Sequence, residues 1–126
     1  MATATEAVEE MNRHGVGSVV VMDADQIVGI FTERDVLKRV VGCGLDPKTV
    51  RMPDVMTPNP VTVGLDITAQ ATMELFNEKH CRHLPVLAQG RLVGLISIGD
   101  ISRWMSDVHR TECEHLKNYI SGGFVA

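Results

Sequence analysis

Hydrophobic and polar residues along the chain follow an order of helices and strands that occurs twice. In the first half the pattern predicts a helix at 5–14, strands at 18–22 and 27–31, and a helix at 32–41. In the second half it predicts a short strand at 61–63, a helix at 67–79, strands at 83–87 and 92–96, and helices at 98–107 and 108–121. Each half therefore contains the series helix–strand–strand–helix. Such a half has few strands and one apolar face, so two halves are expected to form one fold together.

A short motif recurs in the two halves at one register. Gly29–Asp35 and Gly94–Asp100 both consist of a glycine, two apolar residues, a hydroxyl residue, two variable positions and an aspartate. The flanks agree as well, since Ile27-Val28 corresponds to Leu92-Val93 at the same spacing of 65 positions. Self-similarity at a fixed spacing indicates that one supersecondary unit has been duplicated.

Prolines separate the two halves. The segment 44–60 contains four of the five prolines in the chain, Pro47, Pro53, Pro58 and Pro60, and proline interrupts regular structure. We therefore expect a first motif at 1–43, a linker at 44–60, a second motif at 61–107, and a C-terminal helix and tail at 108–126. The fifth proline, Pro85, lies within a predicted strand and indicates an edge strand or a bulge.

Composition and charge narrow the classes of function. The 126 residues are 44% hydrophobic and 4% aromatic and carry a net charge of −4, which indicates a globular fold with an aliphatic core. Because no dense basic run is present, nucleic-acid binding over a broad face is disfavoured. No signal peptide or membrane span is visible, and three widely spaced cysteines fit free thiols. We therefore expect a cytoplasmic protein without nucleic-acid or membrane partners.

The hydroxyl residue and the aspartate of each motif admit two interpretations. In the first, Thr32 and Ser97 cap helices, and Asp35 and Asp100 complete a capping box, which requires no ligand. In the second, the free N–H groups at the helix start and the hydroxyl bind a phosphate, while the aspartate accepts hydrogen bonds from a neutral diol such as a ribose. One aspartate can serve both purposes, so the pattern alone leaves both open.

Other polar residues are weaker candidates for chemistry. Arg82 and His83 precede a predicted strand, where the arginine is either a bidentate phosphate ligand or an ordinary surface residue. His109 and Cys113 have the helical spacing of two metal ligands, but two ligands are only half a site, so we expect no metal. No cysteine has the base and the orienting group that nucleophilic catalysis requires, so we do not expect an enzyme.

Together these residues resemble a pair of CBS (cystathionine-β-synthase) domains, also called a Bateman module. The resemblance spans Ala4 to about Ser106 and rests on both glycine-to-aspartate motifs, on Asp54–Pro58 in the linker and on Arg82–Val86. It implies an α+β fold of tandem CBS motifs, with two small three-stranded sheets and helices packed into one pseudo-two-fold module. The chain resembles the small stand-alone members of the family. The resemblance also implies a homodimer that forms a flat disc of four motifs.

The resemblance also implies a function. CBS pairs commonly bind adenosine-containing ligands, such as AMP, ADP, ATP, NAD(H) or S-adenosylmethionine, in the cleft between the motifs and thereby regulate a partner protein, which the sequence does not identify. In the family the aspartate holds the ribose, the hydroxyl and the basic residues contact phosphate or ribose, and linker residues wall the base. The nucleotide-binding residues implied here are Thr32, Arg34, Asp35, Thr57, Pro58, Arg82, His83, Ser97 and Asp100.

One departure from the family pattern concerns the first motif. Family members usually have a strand before the first helix, whereas this chain begins almost inside that helix. We therefore expect either a trimmed fragment or an incomplete first site, and the second site, with Asp100, Ser97 and Arg82, is expected to dominate. The alternative function is a scaffold for dimerisation or protein docking whose nucleotide sites stay empty.

Overall fold

The computed structural model describes residues 1–106. They fall into two compact units, Met1–Pro60 and the residues from Val61 onward. The predicted helix at 108–121, together with His109 and Cys113, lies outside the described residues.

The first unit begins with helix α1 (Ala4–His14), which is capped at both ends. The Thr3 hydroxyl accepts a hydrogen bond from the Glu6 backbone, and the Glu6 carboxylate accepts one from the Thr3 backbone. The helix ends at Gly15, whose φ of 63° lies in the left-handed region that glycine adopts without strain. The antiparallel hairpin of β1 (Ser18–Asp23) and β2 (Gln26–Thr32) follows.

The chain leaves β2 directly into a helix of mixed type. Helix α2 (Glu33–Asp35) continues into a π-helical segment, Val36–Val41. Within the predicted linker, helix α3 (Met52–Val55) precedes strand β3 (Thr57–Pro58). Strand β3 pairs antiparallel with β2, which makes the first sheet three-stranded, in the order β1-β2-β3.

The second unit has the same hairpin and a different third strand. It consists of β4 (Val63–Gly64), α4 (Ala69–Lys79), β5 (His83–Ala88), β6 (Arg91–Ser97) and α5 (Ile98–Ser106). Strand β4 pairs parallel with β5, and the sheet order is β4-β5-β6. The third strand thus lies beside the second hairpin strand in the first unit and beside the first hairpin strand in the second unit.

The two hairpins match residue for residue at the spacing seen in the sequence. Ser18 pairs with Thr32 at the open end of the first hairpin, and His83 pairs with Ser97 at the same place in the second. Each hairpin has an irregular register at the equivalent point, between Val21 and Met22 and between Val86 and Leu87. The duplication therefore extends from the sequence to the register of the strands.

Each unit has an aliphatic core of its own. The first core is formed by Ala4, Ala7, Met11, Val19, Val21, Phe31, Val40, Met52 and Val55. The second is formed by Val63, Ala69, Phe76, Leu84, Val86, Ile96 and Ile101. In both, alternate residues of the hairpin contact apolar faces of the helices, which is how a small sheet removes one face from water.

The α+β class with two three-stranded sheets is confirmed, with three local differences. Of the two alternatives predicted for Pro85, the edge strand is wrong, because β5 is central, while the irregular register just after Pro85, between Val86 and Leu87, agrees with the bulge. Strand β4 pairs only with Val86 and Leu87, so the missing N–H of Pro85 removes no bond to β4. Strand β3 was not expected within the linker. The predicted helix at 32–41 is present, but most of it is π-helical.

Candidate functional site

The first motif places its aspartate at the start of a helix through a reciprocal pair of hydrogen bonds. Thr32, the last residue of β2, has extended backbone and caps α2. Its N–H donates to Asp35 Oδ2 over 3.0 Å, and the Asp35 N–H donates to Thr32 Oγ1 over 3.2 Å. The capping-box interpretation of this motif is therefore confirmed.

The second motif has the same arrangement at the start of α5. The Ser97 N–H donates to Asp100 Oδ2 over 3.0 Å, and the Asp100 N–H donates to Ser97 Oγ over 3.1 Å. Both aspartates are buried, at 8% exposure for Asp35 and 7% for Asp100. A buried carboxylate is costly unless hydrogen bonds compensate its charge. The backbone N–H of the box supplies one to each carboxylate, and the Thr32 hydroxyl supplies a second to Asp35.

The residue that precedes each hairpin lies against the start of the motif helix. The Gly17 carbonyl accepts a 2.9 Å hydrogen bond from the Glu33 N–H, and the Arg82 carbonyl accepts one of the same length from the Ile98 N–H. In the second unit this contact and the His83–Ser97 pair bring the four predicted residues Arg82, His83, Ser97 and Asp100 to one end of the sheet. Arg82 is exposed and His83 is half-buried.

The linker residues of the first unit run along the motif strand. Thr57 pairs with Ile30, and Pro58 pairs with Gly29, the motif glycine. A Cβ atom added at Gly29 would lie 2.4 Å from Met56 Sδ. Glycine is therefore needed at position 29, because the linker approaches β2 closely. Thr57 lies opposite Ile30, two residues before Thr32 at the end of β2.

Two arginines beside the aspartates were missed by the sequence analysis. Arg39 Nε lies 3.5 Å from Asp35 Oδ1, and the Nη1 group of the same side chain donates to the Met56 carbonyl over 2.9 Å. In the second unit Arg103 Nη2 donates to Asp100 Oδ1. The available signal was the spacing of three or four residues between an acid and an arginine on one helix.

The remaining candidates are not drawn into these clusters. Arg34 is exposed, and its side chain makes no hydrogen bond or ion pair within residues 1–106. Burial raises the pKa of the Cys81 thiol, which reduces its thiolate fraction at neutral pH. Within the same residues no group of three or more His, Cys, Asp or Glu side chains is placed to hold a metal ion. None of the helices in that range is long and apolar enough to cross a bilayer.

A protein-family model and known proteins match this chain over most of its length. Residues 2–42 and 53–107 match the family model of the CBS domain. The mitochondrial CBS domain-containing protein CBSX3 of Arabidopsis thaliana is 34% identical over 127 residues, which cover 97% of this chain and 62% of the relative. The chain thus spans less than two thirds of the length of that relative.

Solved structures with the same fold include nucleotide-bound and zinc-bound proteins. A protein with CBS domains from Burkholderia ambifaria MC40-6 is 34% identical, with a TM-score of 0.80, and the match covers 90% of this chain and 83% of that chain. The Pyrobaculum aerophilum CBS domain protein PAE2072, in complex with AMP, is 28% identical, with a TM-score of 0.71 and coverage of 84% and 86%. Hypoxic Response Protein I, with two coordinated zinc ions, is 29% identical, with a TM-score of 0.69 and coverage of 80% and 82%.

The family model covers most of the chain and matches it twice: the first match lies within the first unit, and the second begins at residue 53 of the first unit and continues through the described part of the second. The matched segments contain the two hairpins and both capping-box aspartates. The chain therefore belongs to the CBS domain family and carries two CBS motifs.

Proposed function

We propose that the chain is a regulatory module that binds an adenosine-containing nucleotide at its motif aspartates. The observation that carries the proposal is the position of these aspartates. In each unit a buried carboxylate lies one turn into a helix, beside a hydroxyl side chain at the end of a strand. No catalytic step is part of the proposal.

The chemistry of this arrangement suits a nucleotide. A carboxylate accepts hydrogen bonds from the two hydroxyls of a ribose, whereas it repels a phosphate, because both groups are negatively charged. Hydroxyl and N–H groups at the start of a helix suit an anion. The Thr/Ser–Asp pair therefore offers an acceptor for the sugar and donors for the phosphate within one turn. We include Arg34, Thr57 and Pro58 of the first unit and Arg82 and His83 of the second as residues that contact base or phosphate at the aspartate of their own unit.

The comparisons support an adenine nucleotide in particular. PAE2072, which has the same fold, is complexed with AMP. We therefore place AMP first among the ligands, with ATP, NAD(H) and S-adenosylmethionine as further adenosine compounds to be tested. We also propose a homodimer as the working assembly, which light scattering on the purified chain would measure.

Calorimetry on charge-matched variants tests the nucleotide site. Asp100→Asn keeps the shape of the side chain and an acceptor for the cap, but it removes the charge that receives the ribose. We expect about 10- to 100-fold weaker AMP binding, the range for losing hydrogen bonds to a charged group. Asp35→Asn is expected to act in the same direction, with a smaller effect if the second site dominates.

The control is Asp66→Asn, which makes the same charge change at an exposed turn of the second unit. It should leave AMP affinity unchanged. If the wild-type chain binds none of the four adenosine compounds at millimolar concentration, the proposal is wrong. The aspartates are then helix caps only, and the scaffold interpretation stands in its place.

A further inference from the structure

The two carboxylate oxygens of each motif aspartate contact different groups. Oδ2 accepts the hydrogen bond of the capping box, while Oδ1 faces the arginine one turn later, Arg39 in the first unit and Arg103 in the second. The carboxylates are nearly buried, at 11% and 9% side-chain exposure, whereas the arginines are 47% and 73% exposed. Each site therefore presents a cation at its surface with the anion beneath it.

The same ion pair is built in two different ways. Arg39 is the fourth residue after Asp35, but Arg103 is the third after Asp100. At the spacing of the duplication, Lys38 and not Arg39 would correspond to Arg103. Both spacings place the two side chains on one face of a helix, and in the first unit the helix from Val36 to Val41 is π-helical, with a hydrogen bond from the Gly42 N–H to the Leu37 carbonyl. An arginine thus reaches the carboxylate in both units despite the shift, so the pairing does not follow from copied sequence alone.

The pairing alters which ligand charge the site accepts. A bare aspartate next to the sugar position disfavours a nearby phosphate, because like charges repel. A guanidinium on the same carboxylate cancels that repulsion, and its remaining N–H groups are donors that match phosphate oxygens. A neutral nucleoside gains nothing from this cation and must also share Oδ1 with it.

We infer that Arg103, and to a smaller extent Arg39, set the preference of the sites for anionic nucleotides over neutral nucleosides. The inference rests on the proposed nucleotide function and adds the ligand charge as the property that is selected. The two arginines differ in their other contacts. Arg39 also donates a hydrogen bond to the Met56 carbonyl, whereas Arg103 is more exposed, and within residues 1–106 its ion pair is with Asp100. Arg103 has greater freedom to turn toward a phosphate.

The test compares AMP with adenosine, which differ only in the phosphate. Calorimetry on the full chain gives both affinities for wild type and for Arg103→Gln, a variant that removes the charge and retains a polar side chain. We expect AMP binding to weaken about tenfold, the size of one charge-assisted hydrogen bond, while adenosine binding stays the same or tightens. Arg39→Gln should change the ratio in the same direction by a smaller factor.

Arg91→Gln, which removes an exposed arginine at the start of β6, is the matched control and should leave both affinities unchanged. Arg103→Lys restores the charge without the planar fork and should recover part of the AMP preference. Thermal unfolding of each variant shows whether the fold is intact.

The outcomes separate the inference from the function beneath it. If wild type binds AMP, and Arg103→Gln weakens AMP and adenosine by the same factor or leaves AMP unchanged, the inference is wrong and the nucleotide function stands. If wild type binds neither AMP nor adenosine but binds ATP, NAD(H) or S-adenosylmethionine, the inference is wrong and the proposed function stands. If it binds none of these compounds at millimolar concentration, both are wrong.

Discussion

At the scale of single residues, the motif glycine of the first unit is required by packing. Gly29 lies in β2, and its backbone is opposite Pro58 of β3. A methyl group at this position would come within 2.4 Å of Met56 Sδ and 3.0 Å of the Thr57 carbonyl oxygen. The Met56 side chain can turn away, but the carbonyl belongs to the paired strand and cannot move without disturbing the pairing.

We therefore predict that Gly29→Ala destabilises the chain by about 1–3 kcal/mol, the usual cost of overpacking. Urea unfolding measures the loss. Gly64→Ala is the control, because Gly64 lies in the short strand β4 with nothing within 4 Å of an added Cβ. Equal stability of the two alanine variants would contradict the packing argument.

At the scale of elements, the start of α1 carries a cap that depends on pH. Hydrogen bonds from the Thr3 backbone and hydroxyl to the Glu6 carboxylate lower the pKa of Glu6 from its ordinary value of 4.5. Because the folded pKa is the lower one, the charged form stabilises the fold. This contribution is complete above pH 4.5 and is lost as the pH falls through the folded value.

We predict that wild type is more stable than Glu6→Ala at neutral pH and that the difference shrinks as the pH falls below 4.5. Thermal unfolding from pH 7 to pH 3 follows the difference. Glu9→Ala removes the same charge from an exposed position of the same helix and serves as the control. A Glu6→Ala difference that stays constant over this range would show that the carboxylate contributes nothing through its charge.

At the scale of the whole molecule, a bound nucleotide is expected to stabilise the fold by mass action. A ligand that binds only the folded state at 100 times its Kd adds about 2.7 kcal/mol per site. We predict that AMP raises the unfolding temperature, that Asp100→Asn reduces this rise, and that a variant with both Asp35→Asn and Asp100→Asn reduces it further.

Differential scanning calorimetry with and without AMP measures the rise in each variant, and Asp66→Asn should retain it in full. A rise in the double variant that is as large as in the wild type would place the nucleotide away from the motif aspartates. Equal losses from the two single variants would show that the first site is as complete as the second, against the expectation from the sequence.

How far the sequence predicted the site depends on the range of the interactions. The capping boxes join residues three apart, so Thr32, Asp35, Ser97 and Asp100 were found from local spacing, and the structure confirms their hydrogen bonds. Arg39 and Arg103 were missed although they lie four and three residues after their aspartates, because that spacing allows an ion pair without requiring one. The nucleotide roles of the site residues and the domain boundaries remain predictions.

Sheet topology shows the same division. The hairpins follow from pairs of short apolar runs on either side of short polar turns, and the duplication implied that the two hairpins share one register. The third strand of the second sheet was predicted at 61–63 and lies at Val63–Gly64, whereas that of the first sheet was not predicted, because a two-residue strand carries almost no periodicity. Strand β3 joins β2 and β4 joins β5 through backbone pairing between segments distant along the chain.

The sequence by itself determined the duplication, the order of helices and hairpins and the hydroxyl–aspartate boxes, because each of these depends on residues close together along the chain or on a repeat that can be read directly. Only the tertiary structure decided which edge of each hairpin receives a third strand, why Gly29 tolerates no side chain and which arginine faces each aspartate. These outcomes depend on distances between segments and on the local helix type, and neither is encoded in residue spacing alone.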